Sequence, residues 1–312
     1  LSEPVPLIEL EGITLRYGKL EALRGITLRL PPGRTGLLGP NGAGKSSLLK
    51  VLMGLVPPTS GTGTVLGHDL STAGPELRRR IGYMPEADGL VPGLTGVEYV
   101  TLAGELCGMP RRDAQRRAHE LLSYLEMEDA RYRKVEEYSL GMKQRIKLAQ
   151  ALAHDPPLLF LDEPTSGMDP AGRSAMLDLL ARLGRDFKKS ILLCTHLLGD
   201  VERVCQSVLI LAGGRLLRQG SVRDLCAWRQ NRYILRVEGD PSSFLEELAL
   251  EGVRAHKENE AGLVRAEAPP GFSTRVFFIL AESSGVTITG LTRDQDTLEE
   301  AFHRALAEAD HA

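Results

Sequence analysis

No apolar run in this chain approaches the length of about 18 residues that a membrane-crossing helix requires. The opening residues, LSEPVPLIEL, lack the basic-then-apolar pattern of a secretory leader. The expectation is therefore a cytoplasmic chain that meets a membrane only through a partner. Excess positive charge is missing too: the formal net charge is −3, so no global basic field argues for nucleic acid. Cysteine is scarce. Cys107, Cys194, Cys205 and Cys226 show no CxxC spacing and lie in or beside apolar segments, which excludes a zinc or disulfide framework and predicts buried, reduced thiols. There is no low-complexity tract, and no heptad pattern persists over several turns.

What is present is a globular composition, 42% hydrophobic and 25% charged over 312 residues, enough for one large domain or for a large one plus a small one. The chain opens on short β-type runs, LIEL, ITLRY and ITLRL, and then GLLGP leads a strand into a glycine-rich loop. A helix follows, with Leu48, Leu49, Leu52 and Leu55 at helical spacing. Between residues 94 and 130 the texture is helical: Thr95 and Glu98 form a capping box, and Ala114, Ala118, Leu121, Leu122 and Leu125 make one apolar stripe. Continuously apolar runs return as LLFLD, SILLCTH and SVLILAGG, the pattern of strands buried on both faces of a parallel sheet. The order predicts a layered α/β core interrupted by a helical insertion at about 90–150.

After GGRLLRQG the character changes. Residues 221–231 read as a linker, and from RYILRVEGD onward the order is strand, helix (243–250), strand, strand, helix (272–283), strand, helix (297–308). A βαββαβ order suits a small, ferredoxin-like α+β domain over 232–312, with 1–220 as the nucleotide-binding domain. No second glycine cradle occurs in this region. Leu298, Ala301, Phe302 and Ala305 give its last helix a stripe that must pack.

The chemistry is concentrated in two places. GPNGAGKS fits G-x-x-x-x-G-K-[ST] through Gly39, Gly44, Lys45 and Ser46, with Asn41, Gly42, Ala43 and Ser47 completing the cradle. Glycines let successive N–H groups face phosphates, Lys45 neutralises the β- and γ-phosphates, and the Ser46 hydroxyl suits Mg²⁺. In PPLLFLDEP an apolar strand ends in Asp162, a second Mg²⁺ ligand at the edge where α/β sheets bind ligands. Glu163 beside it is the candidate base that orients the attacking water. Together these imply a P-loop nucleotidase but leave open what its hydrolysis drives.

The stretch YSLGMKQR, residues 138–145, narrows the choice. With it, the chain resembles the ATP-binding subunits of ABC transporters, and the resemblance runs over residues 7 to about 220 with the motifs in order. It implies a dimer around two ATP, in which Ser139, Gly141 and Met142 form the signature that binds the ATP held by the opposite subunit. Leu140 and Met142 depart from the family's glycine and glutamine. The resemblance further implies that Tyr17 stacks on adenine, Asp169 in SGMD communicates across the dimer, and His196 contacts the γ-phosphate. Glu86 stands where the family usually has a glutamine that senses Mg²⁺ and the partner, and it becomes a third candidate metal ligand. The stretch LTRDQDTLEEAFHRAL, residues 291–306, resembles the closing segment of multidrug and bacteriocin-type exporter ATPases.

The implied partners are a second ATP-binding subunit and a separate permease chain docking around residues 86–100, where Leu90, Val91, Pro92 and Leu94 are offered. The implied location is the inner face of the cell membrane. A soluble ATPase acting on ribosomes or nucleic acid is the alternative, disfavoured by the single cassette and by arginine groups without interleaved aromatics. A P-loop kinase or GTPase fails for want of an N-K-x-D motif.

Overall fold

The computed structural model describes residues 6–72, 74–87, 89–225, 228–258, 262–295 and 297–310. They fall into two compact units, one reaching to Val222 and including the residues from Arg304 on, the other Arg223–His303.

The first unit begins with β1 (Ile8–Tyr17) and β2 (Leu20–Leu30), an antiparallel pair. The two runs expected separately, LIEL and ITLRY, are one strand, interrupted by register shifts rather than by a turn. Next come β3 (Arg34–Leu38), α1 (Lys45–Leu52), β4 (Ser60–Val65), β5 (His68–Asp69), α2 (Pro75–Arg78) and β6 (Ile81–Met84). The helical insertion supplies α3 (Gly96–Leu106), α4 (Arg111–Tyr124) and α5 (Leu140–Leu152). Then follow β7 (Leu158–Asp162), α6 (Pro170–Asp186), β8 (Ser190–Cys194), α7 (Leu198–Val204), β9 (Ser207–Ala212), β10 (Arg215–Ser221) and α8 (Val222–Leu225).

Six strands form the central sheet in the order β10-β9-β3-β8-β7-β6. All neighbours are parallel except β10, which runs antiparallel to β9 at the edge. Every residue of β7 and β8 is buried, which is why their sequences carry no polar alternation. The register aligns Leu37, Cys194 and Asp162 across three neighbouring strands, so β3, β8 and β7 release their loops on one edge. A second, four-stranded sheet, β2-β1-β4-β5, flanks this core.

The insertion is organised as its pattern predicts. Thr95 Oγ1 accepts from the Glu98 N–H at 3.4 Å while Glu98 Oε2 accepts from the Thr95 N–H at 2.8 Å, closing the capping box of α3. The stripe on α4 is buried in full. Helix α1 is shorter than its leucine spacing suggests: it stops at Leu52, Gly54 takes φ +62°, and Leu55 lies exposed. A glycine in the left-handed region redirects the chain there.

The second unit contains β11 (Trp228–Glu238), α9 (Ser242–Leu250), β12 (Arg254–Lys257), β13 (Leu263–Glu267), α10 (Arg275–Ser283) and β14 (Thr287–Gln295), and α11 (Leu298–Asp310) closes the chain. Its antiparallel sheet is ordered β12-β13-β11-β14, the split βαβ arrangement of ferredoxin-like folds. Tyr233, Leu235 and Val237 turn one face of β11 onto a core with Phe244, Leu248 and Phe277. The stretch 221–231 is not a bare connector: it holds the end of β10, α8 and the start of β11. Leu298, Ala301 and Ala305 of α11 are buried and Phe302 is half-buried.

Of the cysteines, Cys194 and Cys205 are buried and Cys107 is partly exposed, all free; Cys226 lies outside the described residues. Burial pushes the Cys194 thiol well up and the Cys205 thiol to about 12, which keeps both protonated and unreactive.

Candidate functional site

The loop after β3 is shaped by close backbone approach. A Cβ on Gly39 would lie 2.3 Å from the Leu211 carbonyl oxygen, and one on Gly44 would lie 2.8 Å from that of Ala22. Gly44 also takes φ +104°, a conformation that L side chains rarely adopt. It caps α1 without a side-chain bond, so the first-turn N–H groups of that helix are offered to an acceptor. Lys45 arches back over the loop, donating from Nζ to Gly39 O at 2.5 Å and Pro40 O at 3.1 Å.

Asn41 through Ser47 line a cavity of about 730 Å³ whose wall also includes Tyr17, Glu86, Asp162, Glu163 and His196, while Gly39 is not part of its lining. Tyr17 is 42% exposed at its rim. Leu20, Glu21, Arg24, Gly213 and Gly214 also line it and were not anticipated from the sequence, because they belong to β2 and to the turn after β9 and carry no motif. The volume is in the range of small-ligand sites.

The acidic side of the cavity is strongly ordered. Asp162 ends β7 with little exposure, and burial, reinforced by Glu86 and Glu163, pushes its carboxyl up to about 6 against the opposing charges of Lys45 and Lys147. Glu163 adopts φ +48°, a strained turn for a non-glycine residue, fixed by its N–H donating to Cys194 O at 2.8 Å. Its carboxylate accepts at Oε2 from Thr195 Oγ1 at 3.1 Å. At Oε1 it accepts from the His196 N–H at 2.9 Å and meets His196 Nδ1 at 2.9 Å. Since a carboxylate oxygen is the acceptor, Nδ1 carries the proton of that bond.

Other expected site residues are not brought into this cavity. Ser139 caps α5, accepting from the Met142 N–H at 3.4 Å, and is exposed. Gly141 sits where a Cβ would touch Met168 at 3.6 Å, and Met142 Sδ accepts from Arg133 at 3.5 Å. Asp169 caps α6, accepting from Gly172 N–H at 3.2 Å. Two polar residues of α5 are buried: Gln144 donates to Ser166 O at 3.1 Å and Lys147 to Glu86 O at 2.9 Å. A further buried group, Asp200, accepts from Thr165 at 2.5 Å and Arg173 at 2.7 Å, tying the segment after β7 to α7.

Ser46, Asp162 and Glu86, which offer hard oxygen donors, line the same cavity, the set that suits Mg²⁺ shared with substrate phosphates. Among the described residues no cluster of three or more His, Cys, Asp or Glu forms a metal cage. Glycine cradle, arched lysine and buried carboxylate at the carboxyl edge of a parallel sheet define a P-loop nucleotide-binding fold.

Comparison with known proteins refines the class. The ABC transporter family profile matches residues 23–166. An uncharacterised ABC transporter ATP-binding protein of Bacillus subtilis, YxlF, is 33% identical over 298 residues, 95% of this chain and 98% of that protein. The daunorubicin/doxorubicin resistance ATP-binding protein DrrA of Streptomyces peucetius is 32% identical over 307 residues, covering 96% of this chain and 92% of its own length. Among solved structures, an ATP-binding cassette captured as a post-hydrolysis dimer with ADP and Pi aligns at TM-score 0.64 and 27% identity, over 69% of this chain and 99% of its own. The chain belongs to the ATP-binding proteins of ABC transporters. Membership makes it an ATP-binding ATPase subunit, with relatives named for drug resistance and for Nod factor export.

Proposed function

We propose that two copies of this chain, or this chain and a similar subunit, close around two ATP and that hydrolysis drives a separate permease, in the direction of export. In this reading Asn41 through Ser47 cradle the triphosphate, Gly39 lets the start of the loop pack against the Leu211 backbone, and Tyr17 covers the base. Ser46, Asp162 and Glu86 hold Mg²⁺, which when bound offsets the phosphate charge. Glu163 orients the attacking water and draws its proton, while His196 keeps Glu163 in place and faces the γ-phosphate.

The observation that carries the proposal is the fixed Glu163 carboxylate, held by Thr195 and His196 beside Asp162 and Lys45. Ser139, Gly141 and Met142 lie outside that cavity at the start of α5, Ser139 exposed and the other two half-buried, which suits a signature that serves the partner's nucleotide. Asp169, at the adjoining helix cap, is assigned to communication between the two subunits. The export direction is supported by the drug-resistance name of a relative that aligns along nearly the whole chain. The location follows as the cytoplasmic face of the membrane, reached through the permease. The C-terminal unit is assigned to contacts between subunits or to control of their closure.

Glu163→Gln tests the hydrolytic reading. It removes the base but preserves shape and hydrogen-bond capacity, so Mg·ATP binding persists while turnover falls by about 10²–10⁴. The variant accumulates as an ATP-bound dimer on a sizing column. Wild-type turnover would remove Glu163 from the mechanism.

A further inference from the structure

Asp200, in the first turn of α7, is a carboxylate with 0% exposure. A charge taken so far from water is costly unless hydrogen-bond donors and opposite charge surround it. Here it has both. Its Oδ1 accepts from Arg173 Nε at 2.7 Å, and its Oδ2 accepts from the Thr165 hydroxyl at 2.5 Å. Thr165 is itself buried and stands two residues after Glu163. Arg173 lies at the start of α6, where its N–H donates to the Asp169 carbonyl oxygen at 2.9 Å. The loop from Glu163 to Asp169 is thus held near its beginning and just past its end by one carboxylate of α7.

Glu163 completes the pattern in the opposite direction, since its carboxylate takes donors from Thr195 and His196 on the loop after β8. Two neighbouring segments therefore exchange carboxylates. Glu163 of the first is held by the second, and Asp200 of the second is held by the first. The exchange matters because Glu163 sits at φ +48°, a backbone conformation that persists only where the surroundings over-determine it. The bond from its N–H to Cys194 O restrains that turn on one side. The bond from Thr165 to Asp200, two residues on, restrains it on the other.

We propose that Asp200 is a positioning residue for hydrolysis: acting through Thr165, it holds the strained Glu163 turn so that the carboxylate stays aimed at the attacking water. Neither Asp200 nor Thr165 lines the nucleotide cavity, so the effect falls on turnover and not on ATP binding. This role rests on the reading of Glu163 as the group that orients that water.

The Thr165 hydroxyl can be separated from its packing. Thr165→Val keeps the shape and loses the donor; Thr165→Ser keeps the donor and loses a buried methyl group. Both disturb a buried site, so kcat, KM and Tm are measured for each. Residues in one network couple by about twofold to about a hundredfold. Turnover is expected to follow the hydroxyl, whatever the order of the two Tm values. Thr165→Val loses about tenfold in kcat with KM for ATP within about twofold, and Thr165→Ser recovers to within about threefold of the wild type. Asp200→Ala is at least as slow as Thr165→Val, and adding Thr165→Val to it costs no more than about another twofold. The Thr165 pair decides the matter even where Asp200→Ala does not fold. Wild-type kcat in Thr165→Val, or a Thr165→Ser as slow as Thr165→Val, overturns the proposal. So does a further loss of about tenfold when Thr165→Val is added to folded Asp200→Ala. Any of these results alongside a stalled Glu163→Gln would leave the ATPase reading standing and remove only the role of Asp200.

Discussion

Glu163 Oε1 stands 2.9 Å from both the backbone nitrogen and the Nδ1 of His196, so one histidine holds the candidate base twice. The two bonds separate under substitution. His196→Ala keeps the backbone donor and the Thr195 hydroxyl but loses the ring, leaving Glu163 held by two hydrogen bonds instead of three. Turnover is expected to fall by about 10²-fold with a small change in KM, since the phosphate cradle is untouched. His196→Gln, which retains a side-chain donor, recovers part of the loss. Steady-state kinetics decide the matter: an increase in KM at unchanged kcat would assign His196 to ground-state binding instead.

Asp162 predicts two pH effects of opposite sign. Its carboxyl is raised from 3.8 to about 6, chiefly by burial, so in the native chain ionisation is disfavoured. The folded state binds this proton more tightly than the unfolded one, and the metal-free, nucleotide-free protein therefore gains stability as pH falls from above about 6 towards 3.8. Asp162→Asn removes that contribution. Its Tm in EDTA exceeds the wild type's at pH 8, and the difference narrows on acidification. In the same window a proton competes with the metal, so the Mg²⁺ concentration for half-maximal wild-type turnover rises as pH drops through about 6. A Tm difference independent of pH would refute the assignment.

The proposed permease contact has a physical surface. A groove of about 350 Å³ between the end of β6 and helix α3 is lined by Tyr83, Pro85, Val91, Tyr99 and Leu106, among others. Leu106 is 79% exposed and Val91 42%. An apolar groove beside the Glu86 segment is a place where a partner's movement reaches the metal wall. Leu106→Glu is expected to leave the ATPase rate of the isolated subunit within about twofold while abolishing stimulation by the permease, because it desolvates a charge only when the partner docks. Equal stimulation of variant and wild type in reconstituted vesicles would place the contact elsewhere.

The parts of this site that were legible in the sequence are those whose chemistry is local. Gly39, Gly44 and Lys45 must follow a strand and open a helix, and Asp162 and Glu163 must end a continuously apolar strand; both demands are written in consecutive residues. The meeting of Glu163 with Thr195 depends on β7 and β8 being neighbours, which hydrophobic runs do not specify. Lys147 was invisible for a different reason. A lysine inside IKLAQAL reads as a solvated helix position, and only the depth of α5 against Gly82 buries it. Leu55 misled in the opposite way, continuing a helical spacing that Gly54 had already ended. In the second unit the strand and helix order was readable from alternation, but the pairing of β11 between β13 and β14 was not, because alternation marks a buried face and not a neighbour.

The central claim is that each ATP is completed by a second subunit, with Lys45 contributed from one side and Ser139 from the other. Lys45→Ala destroys the cradle, and Ser139→Arg blocks the signature; each variant alone is inactive at both sites of its homodimer. Mixed dimers of the two contain one site with both defects and one with neither. Measuring ATPase in mixtures whose mixed dimers are verified by differential tagging tests the claim most directly. The account predicts recovered activity that scales with the fraction of mixed dimer; no recovery in verified mixed dimers would contradict it.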